Sequence, residues 1–174
     1  AYQESLKVMA NAIDQRDPLI FGHVDRVTEY AQVLARYLGW NEQQLEELRF
    51  GAILHDIGKI HISEQTLFKT TPLDDQEWQE IRQHSNNGAE MLKDVTQLAD
   101  VIPYVRHHHE NWDGTGYPDG LAGEAIPLGA RILAIADAFD AMTSPHRYGA
   151  VRSLEEAMDE LQECSGTRYD PKMI

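Results

Sequence analysis

Ala52-Ile53-Leu54-His55-Asp56-Ile57-Gly58-Lys59-Ile60 sets an imidazole and a carboxylate side by side within an apolar run. Adjacent helical residues point about 100° apart, so His55 and Asp56 cannot share one narrow face, but they can reach neighbouring points of one pocket. Lys59 follows at the three- and four-residue spacings that bring side chains together, so an ammonium would stand beside anything the pair holds. That is a place for a phosphate. A buried hydrogen-bonded pair would account for His55 and Asp56 alone, because ionisable residues in apolar runs survive by pairing; residues of the same kind elsewhere argue for more.

Upstream, Asn41 with Gln44 forms a capping arrangement for a helix whose face Leu45, Leu48, Ala52 delivers His55. Before it, Val24, Val27, Ala31, Leu34, Ala35 and Leu38 recur at helical period over about Gly22 to Leu38, with His23 opening the helix and Gly39 placed as its C-cap. A lead-in helix over Tyr2 to Arg16 carries Leu6, Met9 and Ile13 and stops at Asp17-Pro18. Downstream, Ile60 to Leu73 reads as irregular. Asp74 or Asp75 then caps a helix running through Trp78 and Ile81 to His84 and Gly88. A helix from about Leu98, with Pro103 in its first turns, ends in His107-His108-His109-Glu110, and at most two of these three histidines can reach one pocket.

Glu110 to Pro127 is longer than the 12 to 15 residues usual for an unstructured connection, with Trp112 and Tyr117 as apolar anchors. Leu128 to Thr143 returns to helix, and Asp137 stands out as the carboxylate inside its apolar run. Ser153 with Glu156 is a capping box for a last helix to Cys164, stopped by Gly166, and Asp170-Pro171 reads as one more helix start. With no convincing strand and no repeat, the expectation is an all-α chain: one domain over 1–174, with a helical lead-in to about 18 and a motif-bearing core over about 23–171. It reads as a piece of a longer signalling protein.

A formal charge of −14 excludes a polymeric nucleic acid partner. No apolar stretch approaches the roughly 20 residues of a membrane helix, and Ala1-Tyr2-Gln3-Glu4 lacks signal-peptide features, so a cytoplasmic location is expected. The single cysteine, Cys164, cannot form an internal disulfide. Five helices or helix ends each present an imidazole or carboxylate on an apolar face: His23, His55 with Asp56, His84, the 107–109 histidines, and Asp137. Nitrogen and oxygen donors without sulfur suit iron or manganese, with zinc or nickel also compatible. Asp56 can bridge two ions, and a pair about 3.5 to 4 Å apart is the usual device of phosphoester hydrolysis.

His55-Asp56 with Gly58-Lys59, then His84, then His108-His109-Glu110, then Trp112-Asp113-Gly114-Thr115-Gly116-Tyr117-Pro118-Asp119-Gly120, resembles the HD-GYP family of the HD superfamily. Pro127-Leu128-Gly129-Ala130-Arg131 and Asp137-Ala138-Phe139-Asp140-Ala141 extend the likeness over His23 to Pro171. The resemblance implies a helical bundle with a long loop around Gly116-Tyr117-Pro118. It also implies hydrolysis of cyclic di-GMP or a related cyclic dinucleotide at two or three ions held by His23, His55, Asp56, His84, His108, His109 and Asp137. Lys59 would contact phosphate, and Lys59 with Asp56 would carry catalysis. A fused sensor or receiver domain and a protein partner at the loop belong to the same picture.

Two departures stand out. Leu19 occupies the position of the third-site glutamate, so two divalent ions are expected. Pro145-His146-Arg147-Tyr148-Gly149 replaces the family's more basic segment, leaving Arg147 or His146 to meet the substrate. The competing readings are a low-turnover cyclic-dinucleotide-binding signalling module and an HD phosphohydrolase for another nucleotide.

Overall fold

The computed structural model describes residues 2–17, 21–146 and 149–174, and within these the chain is helical. Helices α1 (Tyr2–Asp14), α2 (His23–Tyr37), α3 (Glu42–Leu54), α4 (Glu64–Leu67), α5 (Asp75–Leu92), α6 (Ile102–His107), α7 (Leu128–Thr143) and α8 (Leu154–Glu163) are joined by loops and short 3₁₀ turns. Among the described residues the only β pairing is an isolated bridge between Ser165 and Tyr169. The expected all-α class is what is found.

Local chemistry sets most helix starts. Asn41, Asp74 and Ser153 each accept from the backbone N–H three residues on, while Gln44, Glu77 and Glu156 reach back to the cap's own N–H. These are reciprocal capping boxes. Pro103 occupies the first turn of α6, where its missing N–H has no helical partner to lose. The segment after Lys59 is more ordered than its sequence suggested: residues Ile57–His61 form a 3₁₀ turn, and Ser63 caps the short α4. Asp170-Pro171 does not start a helix. The Asp170 carboxylate is taken by Arg131 at 3.1 Å and by the Lys172 N–H at 2.9 Å, which leaves a turn.

Among the described residues the core packs in three clusters. Val27, Ala31, Leu45, Leu48, Ile132 and Leu133 knit α2, α3 and α7 into the centre. Leu54, Ile57, Leu98 and Val105 continue it towards α1 and α6, and Ile135, Leu161 and Tyr169 seat α8. A fully buried Leu or Ile contributes about 1.5 to 3 kcal/mol, against tenths of a kcal/mol for the propensity differences among ordinary residues, so this burial fixes the helices in place. The last turn of α3 is buried all round, Ala52 to Leu54, which is why an apolar run without a polar face ends at His55.

Candidate metal centre

Gly58 determines how His55 and Asp56 meet the rest of the site. The 3₁₀ turn runs so close to α5 that a Cβ on Gly58 would collide with the His84 carbonyl. Only glycine lets the turn after Asp56 approach the helix that carries His84. His55 and Asp56 are buried at the end of α3, His23 is the first residue of α2, and Asp137 lies in α7. His108 and His109 follow α6.

These seven residues form two donor sets. Ligand atoms of Asp56, His84, His108 and His109 all lie within 4.8 Å of one another, as do those of His23, His55 and Asp137. Asp56 stands between the sets. Its Oδ2 is 3.4 Å from His23 Nε2 and 3.3 Å from His55 Nε2, whereas its Oδ1 is 3.3 Å from His84 Nε2 and 3.9 Å from His108 Nε2.

The ring orientations fit a cation at each set. His55, His84 and His108 each donate Nδ1–H to the carbonyl three residues earlier, Ala52, Ile81 and Val105, at 2.6, 2.6 and 2.7 Å. A carbonyl can only accept, so in the neutral rings the proton is on Nδ1 and Nε2 carries a lone pair. The Nε2 atoms of His84 and His108 face each other at 3.3 Å, as do those of His23 and His55. Opposed lone pairs need a positive charge between them. Asp56 Oδ1 is buried without a hydrogen-bond donor, the atom a second cation would satisfy.

Without ions, protons supply that charge where they can. Burial works against the His23 imidazolium, but the Asp140 and Asp56 carboxylates outweigh it and push its pKa up to about 10. Burial also opposes ionisation of Asp56, yet His55 and Lys59 hold it well below the usual carboxylate range. In the other set burial, reinforced by neighbouring histidines, keeps His108 neutral and depresses His109 to about 3. Lys59 reaches Asp56 Oδ2 at 2.6 Å.

The sequence pattern points to Asp137 as the carboxylate inside that apolar run and misses Asp140. Asp140 is the more deeply buried, at 2% exposure. It accepts from His23 Nδ1 at 2.7 Å and from Arg26 Nε at 2.5 Å. It therefore orients the ring whose other nitrogen faces the site. The available signal was a second carboxylate one turn on from Asp137.

The histidine run divides: His108 and His109 lie with Asp56 and His84, and His107 does not. His107 sits with Glu110 and Asp119, a third group of donor atoms within 4.8 Å, but these carboxylates already have partners. Glu110 accepts from the N–H groups of Asp119 and Leu121 at 2.8 and 3.1 Å, and Asp119 pairs with Arg106 through two contacts. The group clasps the loop. A Cβ on Gly116 would strike the backbone of residues 109–111, so the loop lies directly on the ligand segment, and the Tyr117 ring stacks on His109 at 5.0 Å. Pro118 follows through a cis peptide. Trp112 is an anchor as expected, under Arg131 and donating its N–H to the Arg168 carbonyl.

An open pocket of about 430 Å³ lies over the donor sets, lined by Lys59, His109, Tyr117, Asp137 and His146 among others. His61 is exposed. Leu19 and Arg147 lie outside the described residues.

A helical bundle that closes two imidazole and carboxylate sets around one shared aspartate, under an open pocket, defines a domain able to hold metal. Residues 7–173 match the family profile of the HD domain, and the chain belongs to that family. It is 36% identical over 176 residues to the cyclic di-GMP phosphodiesterase response regulator RpfG of Xanthomonas campestris, covering 99% of this chain and 46% of the relative. It is 38% identical over 168 residues to 3'3'-cGAMP-specific phosphodiesterase 1 of Vibrio cholerae, covering 96% and 39%. A cyclic di-GMP phosphodiesterase of Thermotoga maritima is 37% identical over 175 residues, covering 98% and 47%. The chain thus spans about half or less of the length of these relatives. Among solved structures, a cyclic GMP-AMP specific phosphodiesterase of V. cholerae superposes with a TM-score of 0.75 at 23% identity, over 98% of this chain and 46% of that one. An HDG"Y"P protein of Bdellovibrio bacteriovorus superposes with a TM-score of 0.72 at 23% identity, over 87% and 48%. The HD-GYP resemblance is borne out.

Proposed function

We propose that this chain is the catalytic domain of a metal-dependent phosphodiesterase that opens a 3',5'-cyclic dinucleotide, cyclic di-GMP or 3'3'-cGAMP, to the linear dinucleotide. The observation that carries this reading is Asp56, whose two oxygens serve two different histidine sets beneath a pocket that also holds a lysine. We assign the two sets to two divalent ions, iron or manganese before zinc or nickel. Bound there, such ions lower the pKa of water and neutralise phosphate charge.

The chain's own residues do the rest. His55, His84 and His108 are locked in one tautomer by their carbonyl partners, so no ring has to turn when a ligand arrives. Lys59 places an ammonium at the pocket floor, where it can move from Asp56 to a phosphoryl oxygen and stabilise developing charge. Tyr117 shields His109 by stacking. His146, on the pocket wall, and Arg147 are assigned to the substrate. A cytoplasmic location, a fused sensor or receiver domain, and a protein partner at the 110–127 loop belong to the same proposal. Among the described residues no helix is long and apolar enough to cross a membrane.

Anaerobic purification, elemental analysis, and chromatography of products from cyclic di-GMP and 3'3'-cGAMP test the reading. Two ions per chain and linear product are expected. Full occupancy with tight binding and no cleavage would convert the enzyme into a binding module, and an absence of metal would overturn the reading.

A further inference from the structure

The mouth of the pocket has a wall that the metal chemistry does not use. Trp78, four residues past the cap of α5, is 47% exposed and lines the pocket beside Ile62, Leu67, Leu73 and Ile81. Its indole N–H makes no hydrogen bond to a described residue. A large aromatic left half in water is unremarkable on an open surface, but this one belongs to a concave apolar patch continuous with the donor sets.

The patch is held rigidly. Glu80 accepts from the Ser63 N–H at 2.6 Å and from Thr66 Oγ1 at 2.5 Å, and Lys69 pairs with Glu77 at 2.6 Å. The segment carrying Leu67 is thereby tied to α5 on both sides of Trp78. Trp78 and His84 are six residues apart on one helix, so at 1.5 Å per residue their backbone positions are about 9 Å apart along the axis, and both side chains line the same pocket. One pocket joins the donor sets to the indole, so a phosphate over the centre has room to place its nucleoside against this wall.

We propose that Trp78 is a substrate-binding residue on whose face one nucleobase of the dinucleotide stacks. The inference rests on the phosphodiesterase reading and deepens it. Stacking needs only a π-face, which every base has, so this contact supplies affinity and leaves base identity to other residues.

The test uses the metal-loaded 174-residue chain with Trp78→Ala and Trp78→Phe, reading kcat and KM for cyclic di-GMP and metal content on the same preparations. Base stacking measured by alanine substitution corresponds to about 5- to 140-fold in affinity. Trp78→Ala should raise KM by that order with kcat within about threefold and two ions retained, the pattern of lost uniform binding. Trp78→Phe should recover most of the loss. An unchanged KM in Trp78→Ala, or a fall in kcat and metal content that Phe does not repair, overturns the stacking while the wild type's hydrolysis leaves the parent reading standing. If the metal-loaded wild type cleaves no cyclic dinucleotide, the parent reading fails and the stacking with it.

Discussion

His23 and Asp140 are joined at 2.7 Å between Nδ1 and Oδ2, and Arg26 holds the same carboxylate from its other side. Partners behind a metal-binding histidine fix its orientation and basicity, and their loss commonly costs 10- to 100-fold in metal affinity. Asp140→Asn should weaken binding at the His23, His55, Asp137 set by about tenfold, and Asp140→Ala by nearer a hundredfold. Competition against a chromophoric chelator measures both, and unchanged affinity would remove Asp140 from the site.

Asp56 faces both sets, so Asp56→Ala should lose both ions, whereas His107→Ala should keep them because His107 faces the Glu110 and Asp119 clasp. Elemental analysis with circular dichroism as a folding check separates the two. Equal losses would mean that the histidine run is wrongly divided.

Lys59→Ala should lower kcat by a factor of order 10² to 10³, typical for loss of one preorganised charge donor. Metal affinity should stay level or rise, because the ammonium that occupies Asp56 Oδ2 is gone. Single-turnover rates at measured metal occupancy decide it, and an undiminished rate would take Lys59 out of the chemistry.

Gly58→Ala forces a methyl into the His84 carbonyl. Overpacking of this kind costs about 1 to 3 kcal/mol, a fall of about 2 to 12 °C in Tm for a chain of this size. Metal content should fall with it, since the collision parts His55 and Asp56 from His84. Calorimetry and elemental analysis check the pair of losses, and a variant that keeps both its Tm and its ions would show that the turn can shift freely.

Metal binding should strengthen with pH. In the metal-free chain His23 has a pKa of about 10, above its ordinary 6.5, so its proton stabilises the fold fully below pH 6.5 and that contribution is lost as pH climbs towards 10. An ion must displace this proton. The metal-free Tm should therefore fall between pH 6.5 and 8.5, while the rise in Tm on adding manganese grows. Paired thermal melts across that window measure both trends, and a metal shift independent of pH would mean that no proton is displaced.

Much of this was legible beforehand because it is local. The bounds of α7, Leu128 and Thr143, follow from periodicity, and the caps at Asn41 and Ser153 follow from residues three apart. The candidate donors stand out because histidines and carboxylates inside apolar runs are rare without a purpose, while the choice of His108 and His109 from the histidine run rests on the family resemblance. What was not legible depends on distant neighbours. Asp140 gains its role from His23 and Arg26, 117 and 114 residues away in the chain. Gly58 matters only because α5 passes against it, and Asp170 fails to start a helix because Arg131 reaches it from α7. Trp78 looked like one more apolar residue of α5 until the pocket gave it a direction.

The bond between His23 and Asp140 also sets an order of assembly. Contacts between distant residues cost closure entropy before they return any energy, and donors drawn from residues 23 to 137 are complete only when α7 has docked against α2. A nascent chain that has not yet extended past residue 128 holds Asp56, His84, His108 and His109 but lacks Asp137, which completes the set of His23 and His55, and Asp140, which orients His23. An ion bound before α7 docks would therefore find four of the seven donors, those of residues 56 to 109, while the set of His23 and His55 would close only once Asp137 arrives.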